Sequence, residues 1–559
     1  MSRRNFFWLL GIAAVSLFGI AVSFSAPTRE KEKDYELVRL VVDVLHEVDQ
    51  KYVRKLDDEQ KRKLVEDMIN GGLERLDPHS AYINPKEYKH FEKTSKGKFG
   101  GVGIQIGYDR QNRGQLTVVS PMPGTPAYKA RSAGADRILA GDAIVKIEGK
   151  STDGMRINDA VELIQGDPGK EIVLTVQHEN GKDPFDITIV RAEIKVQTVL
   201  GDLRKPKDKI EEWDFFLPDD RDIGYIRLTG FSEKSSQELV AALKELKKDE
   251  KMRGLILDLR NNPGGLLSQA KSVSNLFLKE GERIVSTKGR NSRDEVSDAL
   301  PEEELLRLIY PDSSEADLRA AAKGVSLQPA ARYPMVVLVN KHSASASEIV
   351  SAALQDNGRA IIVGERSYGK GSVQNVIVMN KEKDPSALKL TTASYWRPSG
   401  KNIHRFPDSK ETDTWGVSPN DSGFLLTAVS LTGLRTDGVP DAILDKLKQV
   451  PDNRRFPTES EYLAELEKLL GKGEVTKYRG KLIARADRGF EVPMKEEERY
   501  EYMFYRSERD VVHDEDKPEK PGEEKKKFKD RVLEKALEYL RKEIKEGKAA
   551  VAPPERGNA

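Results

Sequence analysis

The sequence predicts a multidomain α+β protein: a helical N-terminal segment, a small β-barrel, an α/β core and a helical C-terminal extension. Three observations carry that reading. At 559 residues the chain is too long for one ordinary domain. Its texture changes near residue 97 from helically spaced apolar residues to short β-branched runs, and from residue 222 onward strands and helices alternate. Charged residues make up 33% and hydrophobic residues only 38%, so long solvated helices and polar tails are expected beside the compact cores.

Bulk composition removes several function classes. The 93 Lys+Arg against 92 Asp+Glu leave a net charge of +1, which argues against nucleic acid or a strongly anionic surface as partner. The 7 histidines are scattered, with no pair at helical zinc-ligand spacing, so neither a metal nor another cofactor is expected. Absence of cysteine rules out a thiol protease and any disulfide framework.

The first element is an address. Arg3 and Arg4 precede an apolar run from Phe6 to Val22, so residues 1–27 read as a secretory signal or an uncleaved membrane anchor. Ser23 and Ser25 allow cleavage before Ala26, and Ser-Arg-Arg-Asn-Phe also matches a twin-arginine signal. Either way the chain is expected to be exported.

Residues 34–95 form the helical segment, with stripes at Val38, Val41, Val44, Leu45 and Val48 and again at Leu64, Met68, Leu73 and Leu76. Pro78 breaks the second stripe within Leu76-Asp-Pro-His-Ser-Ala-Tyr82. Residues 97–192 hold strands at Gly103–Gly107, Leu116–Ser120, Ala143–Glu148, Glu171–Gln177 and Asp186–Ala192, with one helix at Ile157–Gln165. The barrel opens with Phe99-Gly-Gly-Val-Gly-Ile104, a glycine loop entering a strand. Such a loop can offer the N–H groups of Gly101, Val102 and Gly103 to a carboxylate while the strand carrying Ile104 and Ile106 pairs with an extended peptide; a plain glycine hairpin explains the loop equally well. With Gly124-Thr-Pro-Ala127 and Leu139-Ala-Gly-Asp-Ala-Ile144 following in order, the segment resembles a PDZ domain.

The α/β core spans 198–424. Ile223–Leu228 and Gly254–Leu259 are strands, Ser235–Lys247 is a helix, and Arg260-Asn-Asn-Pro-Gly-Gly265 leads into another helix. The polar stretch 292–332 reads as an insertion. Residues 425–512 hold at least one helix (459–470) and no interpretable motif. Within 513–559, Phe528, Val532, Ala536, Leu540 and Ile544 stripe one side of a charged helix, ahead of a tail expected to be disordered.

Chemistry concentrates after the strand Met335–Asn340. Ser345 in Lys341-His-Ser-Ala-Ser-Ala-Ser-Glu-Ile-Val350 lies at or just before a helix N-terminus, where free N–H groups and the positive dipole end favour an oxyanion. Ser343, Ser345 and Ser347 read equally as helix-cap serines. Lys370 sits in a tight turn between Gly369 and Gly371; a solvated turn lysine is the plain reading, but burial would lower its pKa toward that of a general base. Gln374 offers an amide to orient the amine, or is a strand residue facing solvent. Gly264 and Ala346 are candidate backbone donors to an oxyanion. His342 stands too close to Ser345 for an ordinary catalytic base and has no evident acidic partner.

Together these segments resemble the carboxy-terminal processing proteases, tail-specific serine peptidases with an embedded PDZ domain. The resemblance runs from about 35 to 421 and rests on Leu76-Asp-Pro-His-Ser80, the PDZ segment, Asp258-Leu-Arg-Asn-Asn-Pro-Gly-Gly265, Ser343-Ala-Ser-Ala-Ser-Glu-Ile349, Tyr368-Gly-Lys-Gly-Ser-Val-Gln374, Tyr395-Trp-Arg-Pro-Ser-Gly400 and Gly416-Val-Ser-Pro-Asn420. It implies a crotonase/Clp-like α/β serine peptidase core, with Ser345 as nucleophile, Lys370 as general base and Gln374 as its orienting partner. It also implies protein substrates with apolar C-terminal tails, a place in the bacterial periplasm or envelope, and an adaptor or a second copy as possible partner. Gln165-Gly166 stands where the family often has an arginine before the glycine, which puts PDZ-controlled gating in doubt. Two rivals remain: a non-catalytic PDZ scaffold in the envelope, and a cytoplasmic hydrolase acting on small esters.

Overall fold

The computed structural model describes residues 28–95, 98–108, 114–134, 136–178, 183–205, 212–248, 252–290, 294–314, 316–318, 333–380, 382, 384–410, 413–419, 440–447, 459–482, 489–511 and 528–546. The N-terminal apolar run and the C-terminal tail lie outside them. Among the described residues no helix is long and apolar enough to cross a membrane.

The chain divides into two compact units, Met1–Tyr82 and Ile83–Ala559. In the first, α1 (Thr28–Lys51) keeps Leu37, Val38, Leu40 and Val41 exposed along its apolar stripe. Helix α2 (Asp58–Glu74) opens on a capping box in which Asp57 and Gln60 exchange side-chain and backbone hydrogen bonds. The turn expected around Pro78 is built by Asp77, whose carboxylate accepts the N–H groups of His79 and Ser80 and the Ser80 hydroxyl.

The second unit begins with α3 (Pro85–Ser95) and then the barrel. Its elements are β1 (Lys98–Gly101), β2 (Ile104–Tyr108), β3 (Leu116–Pro121), α4 (Pro126–Lys129), β4 (Ala143–Ile147), α5 (Ile157–Ile164), β5 (Glu171–Gln177), β6 (Phe185–Val190) and β7 (Ala192–Lys195). The sheet order β2-β3-β4-β5-β6 leaves β2 as an edge strand. Alternating inward residues such as Val118, Ile144, Ile172, Leu174 and Ile187 form a core of the barrel's own. Helix α5 is tied in at its C-terminal end: the Gly166 N–H donates to Gly100 O, and the Arg191 guanidinium donates to Leu163 O and Ile164 O.

The core is built on β8 (Asp220–Leu228), α6 (Ser235–Lys248), β9 (Gly254–Asp258), α7 (Leu267–Asn275), β10 (Arg283–Gly289), β11 (Glu295–Asp298), α8 (Glu302–Ile309), β12 (Met335–Val339), α9 (Ala346–Asp356), β13 (Ile361–Gly364), β14 (Ser372–Met379) and β15 (Ser386–Trp396). Strand β16 (Phe490–Glu491) and helices α10 (Glu496–Asp510) and α11 (Arg531–Lys545) complete it. Strands β8, β9, β12, β13 and β16 lie side by side and parallel. The runs Leu255–Leu257 and Val336–Val339 are apolar without alternation because both faces of a parallel sheet are covered. One face, carrying Ile226, Leu257, Val337 and Ile362, packs on α6, α7 and α9. The other, carrying Ile223, Ile256, Val336 and Val363, packs on α10 and α11.

Two further segments join the core. Within the stretch 292–332, read from the sequence as an insertion, β11 pairs with β10, which pairs in turn with β15, and Leu305, Leu306 and Ile309 of α8 enter the main core. Residues 489–511 and 528–546 add a strand and a helical layer to the core sheet.

Candidate active site

Neighbouring parallel strands deliver their carboxyl-end loops to one place, the usual ligand position of an open α/β sheet. Strand β9 runs into the loop Leu259–Gly265, β12 into the loop that ends at Ser345, and β13 into the loop that carries Lys370. The sheet order β9-β12-β13 therefore puts the Ser345 loop between the other two.

Side chains then fasten the three loops. Ser343 Oγ donates to Leu259 O at 2.8 Å, Ser347 Oγ to Asn262 O at 2.9 Å, and the Ala344 N–H to Asn262 O at 3.0 Å. Those contacts separate the serines by role, which sequence spacing alone could not do. Ser343 and Ser347 are buried and spend their hydroxyls on buried carbonyls. Ser345 is half-buried at the N-cap of α9, and its hydroxyl donates no hydrogen bond among the described residues. Its backbone sits at φ +56°, a left-handed value costly for a residue with a Cβ and frequent at functional positions.

The third loop is fastened by a residue that sequence reasoning did not single out. Glu348 has 0% exposure. Its Oε2 accepts both the Ser345 N–H and the Lys370 N–H at 2.8 Å, and its Oε1 accepts the Gly369 N–H and the Ser367 hydroxyl at 2.6 Å. Burial pushes the carboxyl up to about 7, against the pull of these four donors. The signal was present: Ser345-x-x-Glu348 is a capping-box spacing, in which the glutamate reaches back to the N-cap N–H.

Lys370 is half-buried where Gly369 and Gly371 let the turn press on Arg405, Trp415 and His404. Burial lowers its pKa, repulsion from Lys389 on β15 lowers it further, and Glu348 opposes both. Among the described residues no hydrogen bond joins Ser345 Oγ to Lys370 Nζ; the two residues are linked through their backbone N–H groups on Glu348. Gln374 does not contact the amine as expected. It lies on β14 and donates to Ser372 Oγ at 2.8 Å and Thr391 Oγ1 at 3.1 Å.

The oxyanion expectation divides. Ala346 is the first residue of α9, and its N–H has no partner among the described residues, as an N-terminal helical N–H should. The Gly264 N–H, by contrast, donates to Asn262 Oδ1 at 2.9 Å and is not free, so that expectation is corrected. Gly264 serves by lacking a side chain: a Cβ there would stand 2.8 Å from Ser345 Cβ and 2.9 Å from Ala346 N. The N–H of the adjacent, exposed Gly265 has no partner among the described residues.

The Asp258-Leu-Arg part of that loop is structural. Arg260 grips the fully buried Asp258, reaches Asp530 at 2.9 Å and lies 4.2 Å from the Tyr502 ring centroid. Burial works against the Asp258 charge, but Arg260 and the Tyr225 hydroxyl hold its pKa below the usual value.

In the barrel, Gly101 ends β1, and the N–H groups of Val102 and Gly103 have no partner among the described residues. Their carbonyls are fixed by Ala127 and Met122, and Gly103 adopts φ +80° where a Cβ would strike Thr125. Ile104 and Ile106 lie on the edge strand β2 and pack partly into the barrel core.

Comparison with known proteins agrees. The profile of peptidase family S41 matches residues 222–417 and that of the PDZ domain residues 117–178. The chain is 39% identical over 406 residues to the carboxy-terminal-processing protease of Bartonella bacilliformis, covering 72% of this chain and 80% of that one. It is 34% identical to carboxy-terminal processing protease CtpA of Bacillus subtilis, over 63% of this chain and 64% of the relative. It is 31% identical to the carboxyl-terminal-processing protease of Picosynechococcus sp., over 67% and 76%. A helical and PDZ-bearing chain with an α/β core, this protein belongs to the carboxy-terminal processing proteases, serine peptidases of family S41.

Proposed function

We propose that the protein is an endopeptidase that cleaves protein substrates near their C-terminus, with Ser345 as nucleophile and Lys370 as general base. The observation that carries this reading is a Ser345 hydroxyl that donates to no described residue, at a strained helix N-cap whose backbone is fastened through one carboxylate to the loop of a half-buried lysine. Lys370, neutral, takes the Ser345 proton as Oγ attacks the scissile carbonyl, and the Ala346 N–H receives the oxyanion. Each such donor is typically worth about 3 kcal/mol of transition-state stabilisation. The free N–H of Gly265 is the better second donor, since that of Gly264 is engaged. Protonated Lys370 then gives that proton to the departing amine as the scissile C–N bond breaks and the acyl-enzyme forms; neutral again, it takes a proton from the water that attacks the acyl group and releases it from Ser345. Gln374 Oε1 is the acceptor available to orient the amine once the pair closes.

The substrate tail adds a strand to the free edge of β2 beside Ile104 and Ile106, its carboxylate against the N–H groups of Val102 and Gly103. Export to the bacterial envelope is supported by Arg3, Arg4 and the apolar run that follows; a membrane attachment through that run, an adaptor and a homo-oligomer belong to the same reading.

The test is cleavage of an unfolded reporter with an apolar C-terminal tail, read by mass spectrometry, for wild type, Ser345→Ala and Lys370→Ala. Cleavage by wild type alone, lost when the tail is capped or made charged, is the expected result. Cleavage surviving Ser345→Ala would show the nucleophile to be another residue; tail binding with no cleavage would leave a scaffold.

A further inference from the structure

The catalytic proposal leaves one buried charge without a role. Glu348 touches neither substrate nor reacting atom, yet all four of its short contacts come from donors. The two on Oε2 belong to the backbone of the nucleophile and of the base themselves. We propose that Glu348 is a positioning residue: its ionised carboxylate, taking the Ser345 and Lys370 N–H groups on one oxygen, holds nucleophile and base in register. This rests on the Ser345/Lys370 reading and adds a third ionisable group to it.

Hydrogen-bond chemistry makes the ionised form the working one. A carboxylate is acceptor-only and satisfies two donors per oxygen. A proton on Oε2 would face the Ser345 and Lys370 N–H groups and part them. A proton on Oε1 would compete with the Gly369 N–H and require the Ser367 hydroxyl to turn round. That hydroxyl is itself fixed, accepting the Val417 N–H at 2.7 Å. Gly416 packs over the same carboxylate, since a Cβ there would come within 3.3 Å of Oε1.

The charged neighbours come from each surrounding loop. His342 precedes the nucleophile, and its pKa is lowered by burial and by Lys341 and Arg499. Lys370 and Arg366 lie on the base loop, with Arg405 against Gly369. Arg397 donates to Gly416 O but is ion-paired with Asp356 at 2.6 Å. Among the described residues, only Glu348 accepts hydrogen bonds from the backbones of both Ser345 and Lys370. Activity therefore gains with rising pH for two separate reasons: Lys370 loses its proton and Glu348 loses its own, the latter around 7.

The experiment measures kcat and KM for the tailed reporter from about pH 5.5 to 9, on full-length wild type, Glu348→Gln and Ser367→Ala, with Ser345→Ala as the blank. Glu348→Gln keeps the shape but sets an NH2 group against N–H donors. It is expected to lose about tenfold or more in kcat at alkaline pH, to change KM little, and to lose the ionisation near neutrality from its profile. Ser367→Ala keeps the carboxylate with one donor fewer, so the Glu348 ionisation moves to higher pH and activity recovers at the alkaline end. A Glu348→Gln enzyme with wild-type kcat and profile would overturn the proposal. So would a Ser367→Ala enzyme uniformly weaker at every pH with its ionisation unmoved. Should Glu348→Gln fail to fold, Ser367→Ala decides alone. Cleavage persisting in the Ser345→Ala blank would instead strike the active-site reading on which this inference stands.

Discussion

At the scale of single residues, the site depends on one atom that is missing and one that is buried. Gly264 holds φ +100° and leaves only enough room for hydrogen beside Ser345 Cβ and Ala346 N. Adding a methyl there meets backbone on one side and Ser345 Cβ on the other, neither the flexible end of a side chain. Gly264→Ala is therefore expected to cut kcat by about a hundredfold, the size of effect seen when an oxyanion donor is lost, with tail-peptide affinity unchanged. Reporter kinetics beside a tail-binding titration would check it; wild-type kcat would show that the loop yields. Glu348 makes a second prediction, about stability. Its pKa in the fold, about 7, lies above the ordinary 4.5, so the folded state holds the proton more tightly than the unfolded state. The sign follows: stability is fully present below about 4.5 and is lost as pH rises to about 7, after which this group contributes no further change. The wild-type melting temperature should carry that decline across the window and Glu348→Gln should lack it. Identical pH dependence in both would remove Glu348 as the source. On the role proposed for Glu348, activity would rise over the same pH window in which this group's stabilisation is given up.

At the scale of elements, what was legible depended on how local its cause is. The barrel strands and the helix Ile157–Ile164 fall within a residue or two of their predicted bounds, because alternation between Gly, Pro and Asp turns is local information. The stripe Val532, Ala536, Leu540 was equally readable, and it is buried. Ser345 and Lys370 came from spacing and family resemblance together. Glu348 was hidden because its partners, Ser367, Gly369 and Lys370, reach it only through the β12-β13 pairing. The Gly264 donor was misread for the opposite reason: Asn262, two positions away, captures its N–H in an Asx turn that the sequence Asn-Pro-Gly allows. The polar look of 294–309 came from edge-strand and surface-helix residues, and it concealed the pairing of Glu295–Asp298 with β10, a strand that itself pairs with β15 far along the chain. The apolar stripe of α1 was read correctly as helical, yet among the described residues it remains exposed.

At the scale of the molecule, the core sheet has two apolar faces, and only one is covered by helices from the family-matched region 222–417. The other is covered by α10 and α11, so the segment beyond residue 489 supplies a layer that the continuous apolar strands already demanded. Ion pairs tie this layer to two of the carboxyl-end loops, Asp530 to Arg260 and Arg499 to Glu365, and a third, Arg506 to Asp202, ties it to the segment before β8. Breaking one partner of a buried pair leaves a charge without compensation, typically costing about 3–5 kcal/mol, against a total stability of about 5–15 kcal/mol. Leu540 is fully buried on this second face. A carboxylate there would be desolvated without a partner, so Leu540→Asp should abolish cooperative unfolding of the peptidase core and all cleavage. The barrel has its own separate apolar core, so the same full-length variant should still bind a tail peptide with near-wild-type affinity. Calorimetry paired with peptide titration separates the cases. A variant that melts like wild type would mean that α11 is merely docked on a core able to stand without it. Loss of both signals would mean that barrel and core fold as one cooperative unit.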